Sequence, residues 1–124
     1  MVRSKIGSAR LLGRTLLALA IVATPVLAQP ALAQDALGRS EWGSVTTMEA
    51  GWAEDTMAVY HSAPIVNPGG CEVTTAGYAT NPNDPGHSLF HTLILSAFLN
   101  RKEVNFLVQG CVYGKPRIIS VSMR

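Results

Sequence analysis

The sequence predicts a mainly β domain: a small five-stranded Greek-key barrel with one helix between its third and fourth strands, held by one disulfide. Three observations carry that expectation. Short runs rich in β-branched and aromatic residues recur from Trp42 onward, separated by clusters of Gly, Pro, Asn and Asp. One stretch alone repeats its apolar residues at helical spacing. The only two cysteines, Cys71 and Cys111, follow an export signal.

That signal occupies residues 1–33. Arg3, Lys5, Arg10 and Arg14 precede any acid. Residues 16–27 form an apolar run broken only by Thr24 and Pro25, short of the roughly 20 apolar residues that span a bilayer. A basic start, an apolar middle and a small-residue end make a secretory signal peptide. Ala31-Leu32-Ala33 predicts cleavage before Gln34; Val26-Leu27-Ala28 is the other candidate site. The mature chain, residues 34–124, then has no transmembrane segment. Ten Lys and Arg less the four of the signal leave six, against eight Asp and Glu, a net charge of −2. Nucleic acid is excluded as a partner, because it wants a clustered basic face.

A chain of this size makes one domain with a thin core, so a covalent staple helps. In the periplasm or outside the cell a Cys71–Cys111 bond persists. It closes a loop of about forty residues, worth roughly 3–4 kcal/mol by loss of chain entropy in the unfolded state. Two cysteines so far apart, with no CxxC, make a poor zinc site.

The elements follow in order. Residues 34–41 are polar and irregular and read as a flexible N-terminal tail; the domain itself covers 42–124. Strand one spans 42–50, centred on Val45, Thr46, Thr47 and Met48. Gly51-Trp52-Ala53-Glu54-Asp55 reads as a turn, and strand two, 56–62, completes a hairpin. Pro64, Pro68, Gly69 and Gly70 punctuate a loop leading to strand three, 71–80, with an interruption near Gly77. Asn81-Pro82-Asn83-Asp84-Pro85-Gly86 breaks the chain; Asp84 suits a helix cap and Pro85 the first helical position. Leu89, Phe90, Leu93, Ile94, Ala97 and Phe98 then draw one apolar stripe. The helix ends near Asn100, where Arg101 and Lys102 suit its negative end. Strand four is 103–109, with Val104, Phe106 and Val108 on one face. Residues 110–116 make a turn holding Cys111. Strand five is 117–123, with Ile119, Val121 and Met123 alternating.

Three strands, a helix and two strands is the element order of an OB-fold. Three segments carry a further likeness: Asn67-Pro68-Gly69-Gly70-Cys71, Arg101-Lys102-Glu103-Val104-Asn105-Phe106-Leu107-Val108, and Gly110-Cys111-Val112-Tyr113-Gly114-Lys115-Pro116-Arg117-Ile118-Ile119. Over residues 44–123 the chain resembles small secreted bacterial proteins similar to the receptor-binding B subunits of subtilase-cytotoxin-like and pertussis-like toxins. The resemblance implies an OB-fold, a ring of five copies and binding of cell-surface glycans. It does not transfer that family's sugar contacts residue by residue.

Reactive constellations are sparse. His87 and His91 lie four apart on the helix and reach one ion, but Ser88 stands where the metalloprotease motif needs Glu, and no third ligand is evident. His61 on strand two reads as structural. There is no G-x-S-x-G, and Glu54 and Asp55 are adjacent turn acids with no partner across a cleft. The expectation is therefore a non-enzyme with no cofactor and no metal. Trp52 in a turn, with Tyr60 and Tyr78, are the candidate ligand-binding residues, since rings with nearby polar groups stack on sugars. Phe90, Phe98 and Phe106 are assigned to the core. Leu95 and Leu99, off the helical stripe, are the candidate interface for further copies or a protein partner. The function expected is an exported binding module of the glycan-binding, toxin-B kind, which the resemblance implies is a pentamer. The alternative is a periplasmic interaction or inhibitor protein that binds no sugar.

Overall fold

The computed structural model describes residues 36–52 and 54–124. The signal peptide expected over 1–33 and the mature start at Gln34 lie outside the described residues. Seven elements follow one another: β1 (Leu37–Arg39), β2 (Gly43–Ala50), β3 (Met57–His61), β4 (Tyr78–Ala79), α1 (His87–Asn100), β5 (Glu103–Val112) and β6 (Lys115–Met123). The domain is mainly β with one helix. Among the described residues no helix is long and apolar enough to cross a membrane.

The expected tail contains a strand. Leu37, Gly38 and Arg39 pair antiparallel with Gln109, Val108 and Leu107 of β5. Ser40 extends the join: its N–H donates to the Phe106 carbonyl and its hydroxyl accepts the Phe106 N–H, each at 2.9 Å. Arg39 Nη1 donates to Asn105 Oδ1 at 2.9 Å. The segment is held by hydrogen bonds and not by an apolar face, so it has no alternation to read. Because of it, α1 follows the fourth strand and not the third.

The remaining pairings join β5 to β2, β2 to β3, β3 to β4, β4 to β6, and β6 back to β5. All are antiparallel except β4–β6, where Ala79 faces Arg117. The strand expected over 71–80 shrinks to Tyr78–Ala79. Gly77, at φ +72°, turns the chain into the sheet so closely that a Cβ there would stand 2.3 Å from the Val59 carbonyl oxygen. Upstream of it, side chains replace the ladder. Asn67 Nδ2 donates to the Cys71 carbonyl at 2.9 Å, and the Cys71 N–H donates to Asn67 Oδ1 at 2.8 Å. Cys71 bonds to Cys111, which lies within β5 and not in a turn. A Cβ on Gly69 would come within 3.0 Å of Gly110 Cα, so the two backbones touch beside the disulfide.

The core is one cluster. Val45, Met57, Val59, Tyr78, Val104, Phe106, Val108, Ile118 and Val121 come from the strands, and Ile94 and Ala97 from the helix. Each fully buried aliphatic or aromatic side chain contributes about 1.5–3 kcal/mol. Of the residues expected to alternate inward in β6, Val121 is buried, Ile118 is buried in place of Ile119, and Met123 is exposed. Leu107 faces Ser120 while Val108 faces Ile118, so Ile119 is the extra residue of a bulge. The helix cap also differs. Gly86 takes the cap position without a side-chain bond, while the Asp84 carboxylate stands 3.8 Å from Arg117 Nε. At the other end Arg101 adopts the left-handed conformation, φ 54°, and the Lys102 N–H closes onto the Ala97 carbonyl at 2.9 Å. Phe90 and Leu93 pack on the core, whereas Leu89 and Phe98 of the expected stripe are exposed.

The disulfide carries a direct test. It closes a loop of sequence separation 40, so opening it removes about 4 kcal/mol by chain entropy. For a domain of this size that lowers Tm by on the order of 15–30 °C. Thermal unfolding of the oxidised protein against the Cys71→Ala/Cys111→Ala double variant measures it; a drop of only a few degrees would mean Asn67 and the touching glycines hold the segment unaided.

Candidate functional site

The outer face of β3 and β4 carries alanines. Strand alternation sends Met57 and Val59 inward and Ala58 and Tyr60 outward. Ala58 faces Glu49 on one side and Ala79 on the other. Where Ala58, Ala76 and Ala79 lie side by side, the surface is hollow. The resulting groove, about 540 Å³, has walls made by Trp52, Tyr60, Val73 and Tyr113, with Glu49, Thr56 and Lys115 as its polar groups. A smaller hollow of about 240 Å³, bounded by Trp52, Glu54, Thr56 and Tyr113, shares three of those residues with it.

Two loops supply the aromatic rim. Trp52 belongs to the β2–β3 loop and is 86% exposed. Tyr113 belongs to the two-residue turn between β5 and β6. Tyr113 and Gly114 both have positive φ, 52° and 74°, which is the turn geometry that suits a twisted hairpin. Gly adopts it freely; a tyrosine there is strained by about 1 kcal/mol or more, the kind of outlier that collects at binding sites. The Tyr113 hydroxyl donates to Glu54 Oε2 at 2.6 Å. That bond, reinforced by desolvation and by the charge of Glu54, raises the Tyr113 pKa above its ordinary value.

The β2–β3 loop is also pinned to the helix. Asp55 Oδ2 stands 2.9 Å from His87 Nε2, and Asp55 Oδ1 stands 3.6 Å from His91 Nδ1. His87 Nδ1 lies 3.1 Å from the Asp84 carbonyl. Both of its ring nitrogens thus face acceptors. A neutral imidazole has one N–H to give, so the doubly protonated form is favoured. The His87 pKa is raised, chiefly by the bond to Asp55 and next by that to Asp84. His91 behaves oppositely: burial holds its pKa below the ordinary value. Its Nε2 is 2.7 Å from Thr80 Oγ1, and Thr80 Oγ1 already accepts the Met57 N–H at 2.9 Å. Thr80 giving its proton to Nε2 leaves Nδ1–H facing Asp55, the arrangement that satisfies every group.

Asp55, His91 and Thr80 lie in the order of a hydrolytic triad. Thr80 is wholly buried, however, and its hydroxyl cannot meet a substrate. Among the described residues no cluster of three or more His, Cys, Asp and Glu is arranged to hold a metal ion. His61 is structural: its Nε2 is 3.2 Å from the Val104 carbonyl and its ring packs on Phe106 at 5.0 Å.

Of the three aromatic residues expected at the site, Trp52 and Tyr60 line the groove and Tyr78 does not. Tyr78 is 1% exposed, packs on Phe106 at 5.2 Å, and accepts the Val66 N–H at 2.9 Å. Tyr78 follows directly on the Gly77 bend and packs inward, while its neighbour Ala79, itself 3% exposed, lines the groove floor. Tyr113, Lys115 and the alanine floor were not singled out in the sequence. The readable clue was the Tyr-Gly turn itself, with its ring at a position that prefers Gly or Asn. Leu95 and Leu99 are on the outer face of α1, 45% and 69% exposed, beside exposed Leu89 and Phe98. No Asp, Glu, Lys or Arg occurs in the whole of α1.

No protein-family model matches this chain, and no curated protein or solved structure does either.

The two histidines predict opposite pH behaviour. His87, with its raised pKa, adds stability that is present below its ordinary value of 6.5 and lost as pH rises through the raised value. His91, with its lowered pKa, adds stability that is present above 6.5 and lost as pH falls through the lowered value. NMR titration of the ring Cε1–H signals should place the His87 midpoint above 6.5 and that of His91 below it, and Asp55→Asn should bring His87 down. Two coincident midpoints near 6.5 would show that Asp55 does not pin the loop in solution.

Proposed function

We propose that this protein is an exported, non-catalytic binding module whose groove takes a ring-bearing ligand, a saccharide of the kind bound by toxin B subunits. One observation carries the reading: an alanine-floored groove walled by Trp52, Tyr60 and Tyr113, with Trp52 and Tyr113 presented by two loops that hydrogen bonds hold in place. Sugar rings offer apolar faces to aromatic rings and hydroxyls to polar neighbours such as Glu49 and Thr56. A loop already ordered before binding loses less freedom on capture.

The fold reading supports it. Counted from β2, the order β2–β3–β4–β6–β5 and back to β2, with the single parallel pair β4–β6, supports reading the sheet as an OB-fold barrel. On that reading β1 is an addition, and α1 stands between the third and fourth strands of the proposed barrel. OB-folds bind oligonucleotides and oligosaccharides on the face framed by the loops joining strands one to two and four to five. Trp52 and Tyr113 occupy those two loops. The slightly acidic mature chain favours the saccharide over the nucleic acid. The disulfide suits the periplasm or the exterior, where such bonds persist.

The second reading is a protein-binding module that uses α1. It is favoured by Leu95, Phe98 and Leu99, exposed apolar side chains on a helix with no Asp, Glu, Lys or Arg. In the first reading the same face joins copies into a ring.

Trp52→Ala should abolish binding on a glycan array. Because Trp52 is so exposed, it should leave stability within about 0.5 kcal/mol; retained binding would sink the groove as the site. For the helix, Leu95→Glu/Leu99→Glu should convert an oligomer to a monomer in light scattering after gel filtration. A wild-type protein that is already monomeric and blank on the array would favour the protein-partner reading.

A further inference from the structure

Between β4 and α1 lies the Asp84–Pro85 peptide, the one Asp-Pro bond in the sequence. Its carbonyl oxygen faces two donors of a single residue: the His87 N–H at 3.1 Å and His87 Nδ1 at 3.1 Å. Nδ1 donates with a positive charge when both ring nitrogens carry protons, the form that Asp55 favours from Nε2. Two donors on one carbonyl oxygen are the parts of an oxyanion hole. The carboxylate of the same residue is a nucleophile one ring closure away. Its Oδ2 is buried and accepts no hydrogen bond among the described residues, with Arg117 Nε 3.8 Å off. The turn is held in place, since the Asp84 N–H donates to the Asn81 carbonyl at 3.1 Å and the Asn83 N–H to Asn81 Oδ1 at 3.0 Å. Pro85 is exposed, so water reaches the bond.

We infer that Asp84–Pro85 is a self-cleavage site, with the Asp84 carboxylate as nucleophile and His87 as the donor to the carbonyl oxygen. A carboxylate oxygen of Asp84 attacks its own carbonyl carbon and closes a five-membered ring. Negative charge collects on the carbonyl oxygen, where the two His87 donors meet it. The C–N bond to Pro85 then breaks. Its electron pair stays on the proline nitrogen, which takes the Nδ1 proton, and solvent reprotonates His87. One water opens the cyclic anhydride to two carboxyls on Asp84. The net change is one water added, one peptide bond lost, one carboxyl and one secondary amine gained. The chain acts once, on itself, and the groove takes no part. Cys71 and Cys111 lie on opposite sides of the cut, so the two pieces stay joined until the disulfide is reduced.

The oxidised protein, incubated below and above the His87 titration midpoint and followed by mass spectrometry, tests this. Without reductant one species should gain the mass of a water. With reductant added after the reaction is stopped, two pieces should appear, one ending at Asp84 and one beginning at Pro85. Asp55 and Asp84 are the acids that face His87, with the His91 ring 5.6 Å away, and Arg117 of β6 faces Asp84. The rate should therefore fall as pH rises through the His87 midpoint, and Asp55→Asn, which lowers that midpoint, should move the profile to lower pH. His87→Ala should slow cleavage about a hundredfold. Asp84→Glu keeps the charge facing Arg117 but needs a six-membered ring, and should stop cleavage. The deciding comparison needs no variant. Acid hydrolyses Asp-Pro bonds in any chain, so wild-type protein unfolded in guanidinium should cleave about a hundredfold more slowly than the folded protein at the same pH. Equal rates would overturn the inference, as would a folded protein that stays intact throughout, or cleavage that Asp84→Glu leaves unchanged.

Discussion

A join only two residues long connects the two halves of the sheet. Between β3 and β6 stands β4, whose Tyr78 and Ala79 make two pairs with β3 and one with β6. The segment before it, from Ser62 to Gly77, has no ladder of its own. The Cys71–Cys111 bond, the Asn67 side chain and the touching Gly69 and Gly110 backbones hold that segment down. Val73 then reaches the β5–β6 turn, its N–H donating to the Gly114 carbonyl at 2.9 Å. The far wall of the groove, Val73 and Ala76, is therefore carried by a stretch with little regular structure. The covalent cross-link stabilises both the fold and the shape of the site.

The near wall depends on electrostatics. Glu54 and Asp55 are neighbours in sequence but point to different elements, one to the β5–β6 turn and one to the helix. Each bond is exposed and individually modest. Together they fix the β2–β3 loop at two points, and Trp52 sits three residues or fewer from both. The hydrogen bonds on His87 and the burial of His91 give that fixing an acid dependence, since Asp55 holds a charged ring more tightly than a neutral one. Acid does not tighten the contact indefinitely, because protonating His91 disrupts its bond to Thr80, which in turn supports the Met57 N–H.

The strongest periodic signals were legible in the sequence. The β2–β3 hairpin, α1, and the inward residues Val104, Phe106 and Val108 stand where alternation and helical spacing put them, and the disulfide joins the only two cysteines. What escaped has physical causes. Leu37–Arg39 is a strand made by hydrogen bonds, with no apolar face to betray it. Ile119 looked inward because a bulge is invisible to a count of two. Tyr78 looked like a surface aromatic because its strand is two residues long and follows directly on the Gly77 bend. Lys115 reads in sequence as an ordinary charged turn residue, yet it opens β6 at the groove and is 9% exposed. Half of the aromatic rim was visible as Trp52, an apolar ring in a turn, because no local packing reason places it there.

The groove and the helix face share no residue. The first draws on β2, β3, β4, the start of β6 and the two loops. The second draws on Leu95, Phe98 and Leu99. A ligand in one leaves the other free, so association through α1 costs nothing in groove area. That separation matters for a site of this size. A groove of about 540 Å³ holds a small ligand, and a single small polar ligand yields little free energy after its loss of freedom on binding. Repeating the groove around an assembly turns weak single captures into strong attachment to a surface that displays many copies of the ligand, because each later contact forms at high effective concentration. Were α1 the joining face, as proposed, its exposed Leu95 and Leu99 would let one modest groove act as several.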